Sequence, residues 1–153
     1  LRPFVQAEAD AQRIDRMPAD DELEALVPLV QERLPVLGAI GELIDFLFTD
    51  QLDLDPALLV PKRWDRPTTL DGLQAARAAL GAIEAAAFEP DRLEEPLRAL
   101  AESRGWKAGD LFMAIRVAVT GRTATPPLFQ TLAALGRARA LARLDAAVAV
   151  LAR

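Results

Sequence analysis

The 153-residue chain contains no cysteine and no histidine. Without cysteine there is neither a disulfide framework nor a thiolate metal site, a composition that suits a reducing cytoplasm. Without histidine the commonest general base, the commonest metal ligand and every Ser-His or Cys-His nucleophile pair are missing. Hydrolases that rely on a histidine-activated nucleophile or a histidine-held metal are thereby excluded. No apolar run approaches about 18 residues, so nothing reads as a membrane span. No basic n-region leads into an apolar stretch, as a secretory signal requires. A phosphate-cradling glycine loop is also lacking, the glycines being scattered among helices and caps. The chain opens on Leu1 rather than methionine, as a piece cut from a longer protein would.

What is present is a 52% hydrophobic chain, enough for one ordinary domain or two small subdomains. Its net charge of −5 hides an asymmetry. Residues 1–100 carry 10 basic and 20 acidic side chains, a net of −10, whereas residues 101–153 carry 8 basic and 3 acidic, a net of +5. A basic last third on an acidic body can place a polyanion on one face. The competing reading is a solvated arginine-rich helical surface.

Almost every segment has helical period, and none alternates as a strand does. The spacing predicts a short opening helix over Leu1–Asp10, then a helix capped by Asp20 or Asp21 with Leu23 and Leu26 inward. The clearest stripe runs from Pro35 to Phe48, with Val36, Leu37, Ile40, Leu43, Ile44 and Leu47 at three-and-four spacing. Gln51 to Arg66 holds two prolines and alternating charge, the pattern of a connector. Thr68 or Thr69 is expected to cap a helix reaching about Ala87, with Thr68 and Asp71 in capping-box spacing. Pro90 suits a first helical position, and Pro96 either kinks that helix or restarts it. Lys107 to Thr120 should form a helix stopped by Gly121 in a left-handed cap. Thr125 is expected to cap the next helix, with Pro126 in its first turn and Gly136 at its end. A last helix carries Leu141, Leu144, Val148 and Leu151. The fold class is all-α, with two small helical bundles in tandem.

Acids such as Glu94/Glu95 and Asp20/Asp21 fall at helix starts, where they complement the dipole rather than perform acid–base work. No catalytic residue and no metal site is assigned. "KRW" at 62–64 and "GWK" at 105–107 each join an indole to a cation, as RNA-stacking sites do, although tryptophan is also a common boundary side chain. Arg116 sits among Leu111, Phe112, Ile115 and Val119 on an apolar helix. It must reach water, pair with a carboxylate or meet a ligand. Beside it, Gly121, Arg122, Thr123 and Thr125-Pro126-Pro127 form a stiff turn with hydroxyls and a helix start, fit for an anionic or heteroaromatic ligand. A helix corner with an ion-paired arginine is the structural alternative.

The stretch "KAGDLFMAIRVAVTGRTATPPLFQTLAALGRARALARLDAAVAVL" resembles the end of bacterial glutamyl-tRNA synthetases. The shared pattern falls at Lys107, Gly109, Arg116, Thr120, Gly121, Thr125, Pro126, Leu128, Phe129, Leu135, Gly136, Arg143 and Leu144. A second block, "VQERLPVLGAIGELIDFLFTD", is similar to that family's Glu-Arg followed by an apolar helix, and "LRPFV" to the entry of its anticodon-binding region. The likeness covers the whole chain and is weakest over residues 51–100.

The family's catalytic half uses a His-containing nucleotide signature and a Lys-Met-Ser-Lys-type loop. This chain has no histidine, and its only lysines, Lys62 and Lys107, lie in other contexts. The resemblance therefore implies the anticodon-binding region alone, with a first helical subdomain over 1–60 and a second over 61–153. It implies tRNA(Glu) and the parent's catalytic domain as partners, a monomer, a cytoplasmic location and no membrane. It also implies no cofactor in this chain, ATP and Mg2+ serving the parent ligase. By the same resemblance, Arg116, Thr125, Pro126 and Leu128 match positions that contact anticodon bases, and Arg33 matches one that reads the third. A free-standing helical module that binds a protein is the alternative function.

Overall fold

The computed structural model describes residues 19–24 and 52–153. The expected helices over Leu1–Asp10 and Pro35–Phe48, and Arg33 itself, lie outside the described residues. Those that are described contain helices and turns and no strand. Residues 20–24 are helical. From residue 52 onward come α1 (Pro56–Leu59), α2 (Arg66–Gly81), a 3-10 turn (Ala85–Ala87), α3 (Pro90–Ser103), α4 (Ala108–Thr120), α5 (Leu128–Leu135) and α6 (Arg137–Ala152).

Several boundaries differ from the sequence expectation, each for a local reason. Ala19, not Asp20 or Asp21, precedes the first described helix, and its amide donates to the Glu22 carboxylate at 2.8 Å. That is the returning half of a capping box. The cap of α2 is Asp65, whose carboxylate accepts from the Thr68 amide at 2.8 Å. Thr68 and Thr69 lie inside the helix, and the Thr69 hydroxyl donates back to the Asp65 carbonyl. Aspartate outcompetes threonine here because Pro67 fits only the first turn. α2 stops at Gly81, and the run to Ala87 is completed by the 3-10 turn. Pro96 neither restarts nor ends α3, which runs on through it. The amide bond it forgoes is offset by burial of Leu93, Leu97 and Ala101 on the other face. Gly121 does close α4 with φ 74°, a conformation that costs side-chain-bearing residues and not glycine.

The Thr68 hydroxyl and amide beside Asp65 hold its carboxyl below the ordinary value of 3.8. The folded protein thus binds this proton less tightly than the unfolded chain. The stabilisation is complete above that ordinary value and is lost as pH falls through the depressed one. An Asp65→Ala protein should therefore melt below the parent at pH 7, with the gap closing in acid. Thermal melts of both proteins across that range measure it, and a gap independent of pH would remove the carboxylate from the account.

α2 and α6 form the spine, with α4 packed against both. α3 lies against α2, and α5 against α3 and α6. Leu73, Leu80, Leu93, Leu97, Leu111, Ile115, Leu132 and Leu144 are wholly buried between them. Arginines close the helix ends. Arg137 donates to the Gly81 carbonyl at the end of α2 and to that of Ile83 just beyond it, and Arg139 to Leu135 at the end of α5. Arg143 donates to Val119 near the end of α4, and Arg66 to Leu151 and Val150 at the end of α6. A cation on terminal carbonyls satisfies orphan acceptors and the negative end of the dipole together.

Candidate nucleic-acid interface

The turn from Gly121 to Pro127 joins α4 to α5. Pro126 and Pro127 have no N–H, so a backbone ladder cannot hold this segment. Threonine hydroxyls hold it instead. Thr120 donates to the Arg116 carbonyl at 2.6 Å and accepts from the Arg122 amide at 3.1 Å. Thr125 donates to the Pro126 carbonyl at 2.8 Å. Thr131, one turn into α5, reaches the Pro127 carbonyl at 2.9 Å and that of Pro126 at 3.3 Å. All three threonines are buried. The chain is therefore fixed on both sides of the turn before any ligand arrives.

Of the residues assigned to the site by resemblance, Arg116 is half-buried on α4, with its Nε out of contact with solvent. Thr125 is 6% exposed, Leu128 is 4% exposed, and Pro126 is buried between them. These three give the turn its shape, while Thr123, Ala124 and Pro127 form its exposed rim, with Gly121 and Arg122 half-exposed. Thr125 does not cap α5: Pro127 occupies that position, and no side chain bonds there. Thr131 was not foreseen as part of the turn. Its sequence signal was a hydroxyl on the buried stripe of a helix, four residues after a proline, where it can bond back to the i−4 carbonyl.

The structure also divides the basic last third between two duties. Arg104 pairs with Asp71, and Arg137, Arg139 and Arg143 bond helix carbonyls. These serve the fold first, so the +5 of residues 101–153 overstates the charge offered to a polyanion. Phe112 lies one helical turn before Arg116 and meets Phe129 edge-on with ring centroids 5.1 Å apart, while Arg98 stands over the Phe112 ring.

A separate groove of about 350 Å3 opens at the other end of α4. Trp64 and Trp106 form its walls, ring centroids 4.9 Å apart and tilted by 54°. Arg63, Lys107, Asp65 and Asp110 line it as well. Trp64 is seated on Gly72, where an added Cβ would lie 2.8 Å from the indole, so only glycine allows the approach. Arg104 covers Trp106 at 5.4 Å. A larger cavity of about 490 Å3 lies between residues 52–54 and α6 and contains none of the residues assigned to the site by resemblance.

A family model described as "Anticodon binding domain" matches residues 1–148. The glutamate–tRNA ligase of Roseiflexus castenholzii is 51% identical over 99% of this chain, which spans 30% of that relative. The glutamate–tRNA ligase of Dehalococcoides mccartyi is 38% identical over 96% of the chain, again 30% of the relative. Among solved structures, a glutamate tRNA ligase from Elizabethkingia meningosepticum superposes with a TM-score of 0.81 at 21% identity, covering 97% of this chain and 28% of that one.

Proposed function

We propose that the Arg116 turn is an anticodon reader, because this chain belongs to the anticodon binding domain family. Its substrate is then tRNA(Glu), and its parent a glutamate–tRNA ligase of which it supplies the C-terminal part. In that parent the catalytic half holds ATP and Mg2+, and the pair works as a cytoplasmic monomer. The chain divides into a helical subdomain over 1–60 and another over 61–153.

The observation that carries this reading is the hydroxyl-tied, proline-stiffened turn beside Arg116. RNA sequence is read from unpaired loop bases by hydrogen bonds to exposed edges and by packing on base faces. A turn fixed in advance lowers the ordering cost of such contacts. The arginine adds a charged fork of donors for base acceptors. Thr125, Pro126 and Leu128 set the surface against which the bases lie. Arg33 is assigned to the third anticodon base. Cytosine offers N3 and O2 acceptors on its pairing edge, which suit a group with donors only, whereas guanine offers two donors there.

Gel shifts with tRNA(Glu) and an unrelated tRNA test the reading. The expected result is a shift at lower protein concentration with tRNA(Glu), and equal shifts or none would overturn it. ATP–pyrophosphate exchange with glutamate and tRNA present should stay at background. Exchange by the pure chain would overturn the division of labour.

A further inference from the structure

Two short motifs, Lys62-Arg63-Trp64 and Trp106-Lys107, are separated in sequence by α2 and α3 and meet in one groove. We propose that this Trp64–Trp106 groove is a second RNA contact, holding one nucleotide with its base against indole and its phosphate between Lys107 and Arg63. The proposal rests on the RNA-binding reading above, but on different residues at the far end of α4. Thirteen residues of helix separate the two places, about 20 Å at 1.5 Å per residue. A stem-loop is longer than that, so one RNA can touch both.

Three features favour a nucleotide. Both indoles are half-buried, held by each other and by Gly72, so their accessible surface is fixed before binding. Stacking on a fixed ring avoids most of the ordering cost, and it tolerates any base because every base has a π-face. Lys62, Arg63 and Lys107 are exposed and make no ion pair among the described residues. Of these, Arg63 and Lys107 line the groove together with Asp65 and Asp110, and Lys62 is the neighbouring residue in the chain. The lining is thus balanced, and Lys62 beside it brings the immediate neighbourhood to one positive charge on a chain of net charge −5, which favours an anion here over most of the surface. An acidic peptide would use the cations but leave the flat ring surface unused, so an RNA nucleotide fits the whole groove better.

Trp64 and Trp106 are the only tryptophans and there is no tyrosine, so indole emission reports on this groove alone. Titrating the full chain with tRNA(Glu) should change that emission at the same midpoint as the gel shift. Lys107→Glu and Arg63→Glu should each weaken binding several-fold and lower the salt slope by about one. Both side chains are exposed, and an acid at the start of α4 complements the helix dipole, so unchanged melting curves are expected. Trp106→Leu should cost roughly 5- to 150-fold, the range for one base stacked on an aromatic ring, while Trp106→Phe retains most of the affinity. Should tRNA bind with constant emission and both charge reversals bind like the parent, the groove is no RNA contact although the anticodon reading stands. Should the parent bind no tRNA at all, both readings fall. An emission response to poly-glutamate and none to tRNA would assign the groove to a protein partner and overturn the proposal.

Discussion

An Arg143→Met protein should melt roughly 3–12 °C below the parent and bind RNA more weakly, although Arg143 need touch no RNA. The side chain is 7% exposed, and its Nη1 donates to the Val119 carbonyl at 2.7 Å. A hydrogen bond from a charged donor contributes about 1.5–3 kcal/mol, and for a domain of about 150 residues each kcal/mol moves the melting temperature by roughly 2–4 °C. Methionine fills much of the volume of the arginine stem, so the loss reports the bond more than a cavity. Val119 lies two residues before Gly121, and the loosened helix end is the one that launches the turn. Arg143→Lys keeps a cation but not the planar fork and should fall between. Circular-dichroism melts and gel shifts on the three proteins measure both effects. A melting temperature equal to the parent's would mean that burying the guanidinium costs as much as the bond returns.

How legible was this fold? Among the described residues the stripes of α4 and α6 match their helices, whereas the clearest stripe, Pro35 to Phe48, lies outside them. α4 ends on Gly121 as expected, α3 begins on Pro90, and α6 carries Leu141, Leu144 and Leu151 inward. Starts were harder. Thr68 or Thr69 was the expected cap of α2, and the structure gives that position to Asp65, with Pro67 in the first turn. At α5 the expected cap, Thr125, lies two residues before the observed one, Pro127, which makes no side-chain bond. Such choices turn on single hydrogen bonds of about 1 kcal/mol, which no periodicity encodes.

The neighbourhood of Arg116 and the Thr-Pro-Pro turn was legible in the sequence, its hydrogen bonding less so. Arg116 and the Thr-Pro-Pro turn do lie at one end of α4. Their hydroxyls, however, face inward to carbonyls rather than outward. A hydroxyl accepts and donates equally well to backbone and to ligand, so the sequence could not say which. The arginines show the same limit. Composition counted eight cations after residue 100, but it could not reveal that Arg137, Arg139 and Arg143 were bonded to helix carbonyls. Likewise, the indoles of two distant motifs were noted singly, and only packing against Gly72 and against each other makes them one groove.

Arg116→Ala should weaken tRNA(Glu) binding by about 1–3 kcal/mol, or roughly 5- to 150-fold, with little change in melting temperature. Phe112, Arg116 and Thr120 follow one another at i,i+4 on a single face of α4. Thr120 fixes the Arg116 carbonyl and the Arg122 amide together, so the arginine stands at a set position relative to the turn. Alanine removes the fork but leaves that backbone link, which is why binding should suffer more than folding. The pattern of the loss identifies what the arginine meets. If it reads a base, affinity for tRNA(Glu) falls more than affinity for an unrelated tRNA, and the salt slope barely moves. If it meets a phosphate, both affinities fall alike and the slope drops by about one. Arg116→Lys sharpens the distinction, because a point charge satisfies a phosphate but loses a two-pronged contact to a base. Binding unchanged together with a melting temperature many degrees lower would make Arg116 a structural ion pair at a helix corner. In that case the turn would have to be read without it.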